Sequence, residues 1–109
     1  MDREIRAAIS GRHLLRFRYG DCLRIAEPHD YGVQRGVVKL FAYQVGGESK
    51  SGKLPEWRMF IVSKMRPLGP DDPSPATQSF PGSRPVAGGH NEWDELFASV
   101  SRKPFNRRR

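Results

Sequence analysis

The feature that most constrains the fold is an alternation of apolar and charged side chains near the N-terminus. In LLRFRYG (14–20) the two kinds of side chain alternate without interruption: Leu15, Arg16, Phe17, Arg18 and Tyr19. This period of two is the pattern of a half-buried β-strand. CLRIAEP (22–28) repeats it after Gly20-Asp21, a pair that favours a tight turn. The sequence therefore predicts a hairpin of two strands.

Two later segments extend the predicted sheet. GVVKLFAYQV (36–45) is the most apolar stretch, and EWRMFIVSKMRPL (56–68) alternates again between two faces. A short strand around 31–34 is also predicted, and Pro28 is expected to end regular pairing in the strand before it. Upstream, apolar residues at i, i+3, i+4 spacing predict a short helix over 2–10.

The composition changes after the last predicted strand, so the ordered domain is assigned to 1–68. Residues 69–90 are rich in proline and glycine and have the composition of a linker. NEWDELFASVSRK (91–103) then shows helical spacing, which predicts a C-terminal amphipathic helix, and a basic tail follows over 104–109. The apolar face of this helix would carry Trp93, Leu96, Phe97 and Val100.

The length and charge of the chain limit what it can be. At 109 residues it has room for one compact domain. Its formal net charge of +7 favours polyanionic partners or simply solubility. No apolar run approaches the roughly 20 residues that span a bilayer, so a soluble, cytoplasmic protein is expected. A single cysteine, Cys22, and dispersed histidines give no metal-ligand spacing, and neither a metal nor another cofactor is expected.

One segment has the spacing of a phosphate-binding loop. From Gly47 to Lys53 the sequence reads G-x-x-x-x-G-K, as in nucleotide hydrolases. That motif works where a Gly-rich turn leads into the N-terminus of a helix, and it requires Ser or Thr after the lysine. Here Leu54 and Pro55 follow the lysine, and the next residues form a predicted strand. The segment is therefore interpreted as a polar hairpin loop.

Basic residues recur at strand positions that alternate with apolar ones. They are Arg16, Arg18, Arg24, Lys39 and Arg58. If they share a face with Tyr43, they would suit phosphate contacts together with base stacking. The alternative is that they are solvent-facing strand residues, since arginines on edge strands also discourage aggregation. The sequence leaves both interpretations open.

Catalytic chemistry has weaker support. Glu27, His29 and Asp30 lie close together in AEPHDYG, where they could do acid–base work in a cleft. A segment of this composition is more commonly a turn in which the histidine is solvated. Cys22 lies in a predicted strand, a place more typical of a small buried residue than of an activated thiolate. No enzymatic activity is therefore expected.

The order of these elements resembles the WYL domain of bacterial regulators. The A-I-x-x-x-x-x-L-x-F-x-Y segment that opens that domain is matched over 8–19, and its R-x-x-E-P element over 24–28. Its third element, a glycine followed by the naming triad and an apolar stretch ending in Tyr, aligns with 36–43. The fourth, an arginine and an aromatic residue before an apolar strand, is met at 58–60. The resemblance covers about residues 4–68.

The resemblance implies a fold, a function and contact residues. It implies a small SH3-like or Sm-like β-barrel, which together with the two helices predicted from spacing gives a mainly β fold with flanking helices. It also implies a sensing or binding module of transcriptional regulation that contacts ligands or nucleic acid, often single-stranded, through a basic patch. In this chain the Trp and Tyr of the naming triad are replaced by Val38 and Lys39. The candidate contact residues, headed by the three that the resemblance carries over, are Arg24, Tyr43, Arg58, Arg16, Arg18, Lys39 and His29.

Two functions from different classes remain. In the first, the chain is a non-enzymatic module whose basic face contacts an anionic ligand, either single-stranded nucleic acid or a nucleotide-like signal. In the second, it is a protein-interaction module that docks on a partner or on a second copy through the C-terminal helix and binds no nucleic acid. An enzyme that uses Glu27 and His29 would require their side chains to converge on a pocket.

Overall fold

The computed structural model describes residues 1–48, 52–72, 78–86 and 91–107. The remaining residues of the predicted loop, linker and tail lie outside these ranges. The described chain is mainly β, as predicted, with one antiparallel sheet and one α-helix. None of the helical structure in these ranges is long and apolar enough to cross a bilayer.

The predicted N-terminal helix is confirmed as α1, which spans Asp2–Gly11. Its apolar stripe, Ile5, Ala8 and Ile9, is buried against the sheet. The helix ends at Arg12, which takes the left-handed conformation (φ 51°) and donates its backbone N–H to the last turn.

Seven strands and a 3-10 turn follow α1. They are β1 Leu15–Tyr19, β2 Cys22–Gln34, β3 Val37–Gly47, β4 Glu56–Ile61, the 3-10 turn Val62–Lys64, β5 Met65–Arg66, β6 Glu95–Ser99 and β7 Phe105–Asn106. The main path through the sheet is β4-β3-β2-β1-β5, while β6 pairs with β2 and β7 pairs with β6. The predicted hairpin of the first two strands is therefore confirmed.

The sheet is open, so the predicted closure into a β-barrel is wrong. In the described part of the chain, β4 and β5 lie at opposite ends of the path and do not pair with each other. Closing a sheet into a barrel requires a continuous ladder around the ring. The two residues of β5 offer too short an edge for such a ladder.

The second strand does not end at Pro28, contrary to prediction. β2 continues through the proline to Gln34 and takes in the short strand predicted around 31–34. A register shift against β3 lies between Pro28 and Asp30. A bulge of this kind accommodates a residue that has no N–H to donate to the ladder.

The predicted C-terminal helix is also wrong, because its central residues form β6. This strand runs antiparallel to the second half of β2, with Asp30 opposite Ser99 and Gly32 opposite Leu96. The close approach depends on Gly32, where an added Cβ would lie 2.1 Å from the Glu95 carbonyl oxygen. The tertiary pairing overrides the helical spacing of the apolar residues.

The four apolar residues assigned to the face of that helix are packed within the chain itself. They are Trp93, Leu96, Phe97 and Val100. Trp93 and Leu96 lie with Phe41 in a small cluster on one face of the sheet. The main core occupies the other face, where it includes Ile5, Ile9, Leu15, Phe17, Leu40, Phe60 and Met65.

Part of the predicted linker packs on the domain. The Phe80 N–H donates to the Arg12 carbonyl (2.9 Å), and the Phe80 ring is buried in the main core. Arg84 forms an ion pair with buried Glu27. Residues 78–86 are therefore folded against the sheet.

A substitution of Gly32 tests the close approach of β6. Gly32→Ala should lower the free energy of unfolding by about 2 kcal/mol, because the new methyl group overlaps the backbone of β6. Gly46→Ala is the matched control, since its Cβ would meet only the Ile25 side chain at 3.4 Å. Urea denaturation of both variants measures the difference. Equal stabilities would contradict the assigned pairing of β6.

Candidate functional site

The basic residues predicted to share a face are divided between the two faces of the sheet. Arg24 lies directly opposite Phe17, and Arg58 lies directly opposite Ala42. Because directly opposed residues of antiparallel strands point to the same side, both arginines belong to the face that carries the main core. They are the two predicted basic residues on that face.

The two arginines of β1 point to the other face. Arg18 forms an ion pair with Asp72, whose carboxylate also accepts the Gly69 N–H (2.8 Å). The hydrogen bond from Arg18 is the main reason that the pKa of Asp72 is lowered. Arg16 lines a separate, largely apolar cavity of about 420 Å³ beside α1. These arginines therefore border α1 and the segment after β5.

Lys39 and Tyr43 lie on β3 and also point away from the main core. The Lys39 ammonium donates to the Gln34 side chain (3.0 Å). The Tyr43 ring has the Arg84 guanidinium over it at 4.9 Å and the Trp57 ring beside it at 5.1 Å. Tyr43, which the resemblance carried over as a contact residue, is thus packed under a side chain of the same molecule.

Arg24 lies in the wall of a cavity of about 440 Å³ at the end of the sheet. The other lining residues are Tyr19, Gly20, Lys64 and Arg66. Three of the five lining residues are cationic and none is acidic, so the cavity attracts anions. Its volume is in the range of small-molecule binding pockets.

The position of Arg24 is set by a buried amide and two aromatic rings. Its Nη1 donates to the Oε1 of Gln44 (3.2 Å), while the Gln44 Nε2 donates to two backbone carbonyls. Those bonds use both amide N–H groups of Gln44 and turn its oxygen to Arg24. The guanidinium lies 5.6 Å from the Tyr19 ring centre and 5.9 Å from that of Phe60. The rings and the amide hold Arg24 without neutralising it.

Arg24 is a buried charge with no counter-ion in the described part of the chain. Its exposed fraction is 5%, and its Nε is buried without a hydrogen-bond partner. Within the described ranges it forms no ion pair with a carboxylate. Burying an ionised side chain is costly unless it is paired, so a lone buried charge is rare in proteins.

The buried acids of the same strand are paired, in contrast. Glu27, 4% exposed, accepts two hydrogen bonds from Arg84. Asp30, 2% exposed, accepts from the Ser99 hydroxyl and from Arg102. These pairs satisfy the buried carboxylates with partners from the C-terminal half of the chain. Arg24 differs from these two acids, because it forms no ion pair with a described residue.

Lys64 and Arg66 are site residues that the sequence did not reveal. β5 is the end strand of the path and pairs with β1, with Met65 opposite Tyr19 and Arg66 opposite Arg18. Arg66 therefore starts from the face opposite to Arg24 and lines the cavity at the edge of the sheet, as does Lys64. The Arg66 Nη1 donates to the Ser63 and Met65 carbonyls (3.0 and 3.2 Å), which holds the guanidinium beside the 3-10 turn. The available signal was the S-K-M-R run, in which two cations flank a buried Met.

The side chain of His29 is buried in the fold and does not line the cavity around Arg24. Its Nδ1 is 2.9 Å from the Glu27 carbonyl, and its Nε2 accepts the Arg84 N–H (3.3 Å). Both ring nitrogens are thereby used, and burial lowers the pKa of the imidazole. Its ring packs against Trp57 at 4.7 Å. The arrangement suits a neutral ring that connects residues 78–86 to β2.

Within the described ranges, no group of three or more His, Cys, Asp or Glu is arranged to hold a metal.

The lowered pKa of His29 predicts a pH dependence of stability. Below about pH 6.5, the usual pKa of imidazole, the unfolded chain takes up a proton that the folded ring resists. The free energy of unfolding should therefore fall as the pH drops below about 6.5, with a slope of up to about 1.4 kcal/mol per pH unit.

Urea titrations of His29→Gln across this range measure the effect. The variant should be less stable at neutral pH, because it loses the Trp57 contact, but its stability should change less with pH. A His29→Gln slope equal to that of the parent would contradict the assignment.

Comparison with known proteins gives no relative from which to carry over a function. No family model, curated protein or solved structure was found to match the chain. The function of the cavity around Arg24 is therefore inferred from its own charges, burial and hydrogen bonds.

Proposed function

We propose that the chain is a non-enzymatic binding module for an anionic ligand, either single-stranded nucleic acid or a nucleotide-like signal. The site is the cavity around Arg24, and we call this cavity, lined by Tyr19, Gly20, Arg24, Lys64 and Arg66, the anion cavity. The observation that carries the proposal is the buried, unpaired guanidinium of Arg24 in its wall.

The electrostatics of the anion cavity favour this function over a purely structural role. A structural arginine in a core is normally paired, because the desolvation penalty of a lone buried charge is several kcal/mol. Among the residues that the structure describes, Arg24 has the neutral Gln44 amide as its hydrogen-bond partner and no carboxylate. Lys64 and Arg66 raise the local positive potential further. An anion would offset the desolvation penalty that the folded chain leaves uncompensated.

The sequence resemblance supports the same proposal. Arg24 belongs to the R-x-x-E-P element through which this chain resembles WYL domains, a family associated with ligand sensing and nucleic-acid binding. A regulatory module of that kind is the biological role that we propose. In this role Arg24 is the principal contact residue. Lys64 and Arg66 act with it, in place of Arg16, Arg18 and Lys39, which the sequence analysis had named.

The competing proposal of a docking helix has no observation in its favour. Its four apolar residues belong to or flank β6, and Trp93 and Leu96 are fully buried against Phe41. A partner could reach those two side chains only by displacing the C-terminal segment from the sheet.

Binding to oligonucleotides and mononucleotides tests the proposed function. Titration of a labelled oligothymidylate into the protein should show binding that weakens as salt is raised, because cation–phosphate contacts release counter-ions. Arg24→Met should weaken binding by about tenfold or more, since it removes charge-assisted hydrogen bonds. Lys103→Ala, which removes an exposed lysine remote in sequence from the lining residues, should change binding little. Binding that Arg24→Met leaves intact would refute the proposal.

The stability of Arg24→Met shows whether Arg24 serves ligand binding or the fold. Replacing Arg24 by methionine removes an uncompensated buried charge but leaves the buried Gln44 oxygen without its donor, so the two effects offset and the free energy of unfolding without ligand should change by less than about 1 kcal/mol. Glu27→Gln is the contrasting control and should destabilise the protein by about 1 kcal/mol, because it weakens a pair with a partly exposed Arg84. Urea denaturation measures both. Strong destabilisation by Arg24→Met would indicate that Arg24 serves the fold.

A further inference from the structure

The charge of the anion cavity restricts the kind of anion that it fits, an inference that rests on the proposed function. Its cations come from three separate elements: Arg24 from β2, Lys64 from the 3-10 turn and Arg66 from β5. No acidic side chain is among the lining residues. A ligand group held here would therefore meet three formal positive charges from different directions.

An internal phosphodiester is a poor match for this charge. It carries one negative charge on two terminal oxygens, because the other two oxygens continue the backbone on either side. A phosphate monoester carries roughly 1.5 to 2 negative charges at neutral pH and presents three strong acceptor oxygens. Only the monoester can offer a separate oxygen to each of the three cations.

The donors of the anion cavity are fixed in a way that suits such a group. The Nη1 of Arg24 is held by Gln44, and the Nη1 of Arg66 is held by the carbonyls of Ser63 and Met65. These bonds fix one corner of each guanidinium. The Nε of Arg24 has no partner, and no hydrogen bond of Lys64 to a described residue is present. The two guanidinium groups are preorganised in this way and lose little further side-chain entropy on binding an anion, whereas the exposed Lys64 side chain would be ordered by it.

The aromatic residue of the lining favours a nucleotide as the carrier of the phosphate. Tyr19 is partly exposed, its hydroxyl accepts the Ile61 N–H (3.2 Å), and its ring packs edge-on against Phe60 at 5.0 Å. The ring is therefore held rigidly at the rim of a volume of about 440 Å³. Rigid aromatic rings beside phosphate-binding cations are the usual platform for nucleobases.

We infer that the anion cavity recognises the terminal phosphate monoester of a nucleotide, present either as a free mononucleotide or at the phosphorylated end of a single strand. Arg24 and Lys64 contact the phosphate from the wall, Arg66 closes over it, and Tyr19 contacts the adjoining nucleoside. Internal phosphodiesters of the same strand bind more weakly, as they would on any basic surface.

Matched ligands that differ only in the terminal phosphate test the inference. The probes are a short oligothymidylate with a 5′-phosphate, the same strand with a 3′-phosphate, the strand with neither, and thymidine monophosphate. Calorimetric titration of the full chain should show that one terminal phosphate strengthens binding by about tenfold or more. Tight binding of thymidine monophosphate identifies the free nucleotide as a sufficient ligand, whereas preference for a phosphorylated strand identifies the strand end.

Variants of the anion cavity assign the effect to its residues. Lys64→Ala combined with Arg66→Ala should bring the phosphorylated and unphosphorylated strands to within about twofold of each other, since the excess positive charge is then gone. Lys103→Ala again serves as the control and should retain the preference. Because Lys64 and Arg66 are exposed, these substitutions leave the core intact.

The outcomes distinguish this inference from the proposed function. If all strands bind alike and Arg24→Met weakens all of them, the module binds anions but does not read a terminal phosphate, and the inference is wrong. If no probe binds, the proposed function is wrong as well. A phosphoserine peptide or inorganic phosphate that binds as tightly as thymidine monophosphate would overturn the assignment to nucleotides.

Discussion

The backbone ladder of β2 carries the hydrogen bonds of three neighbouring strands, and most of the described structure is attached to it. On one edge it pairs with β3 along almost its whole length. On the other edge its first half pairs with β1 and its second half with β6. Register shifts against β3 near Ala26 and Pro28 bend this long strand, which pairs with β1 before the bends and with β6 after them. The anion cavity lies at the β1 end of this ladder.

Elements defined by local patterns could be predicted from the sequence, and elements that depend on distant pairing could not. The period of two in β1 and the first half of β2 is a local property, and both strands were confirmed. The segment around Leu96 has apolar spacing that suits a helix, but it forms β6 because Gly32 leaves room for a strand on the open edge of β2. An unpaired edge in mid-sheet favours strand addition over any local propensity.

The residues of the candidate site, like the strands, could be predicted from the sequence only in part. The resemblance selected Arg24 and Arg58 from the basic strand residues, but only Arg24 of the two lines the anion cavity. Lys64 and Arg66 could not be selected from the sequence, because they reach the anion cavity only through the short pairing of β5 with β1. A one-residue error in that register would turn Met65 out of the core and move both cations. Alternation alone also could not show that Arg18 pairs with Asp72.

Pairing, more than burial, distinguishes the charged residues that hold this fold from the one assigned to a ligand. Glu27 and Asp30 connect β2 to Arg84 and Arg102, and so add ion pairs to the backbone and core contacts that already hold the C-terminal segments on the sheet. Arg24 is buried to a similar degree, but its hydrogen bond goes to Gln44 on β3, a strand already fixed by its ladder with β2. It adds little to the connectivity of the fold and leaves a charge uncompensated. A buried charge that does not organise the fold is what the proposed binding role of Arg24 would account for.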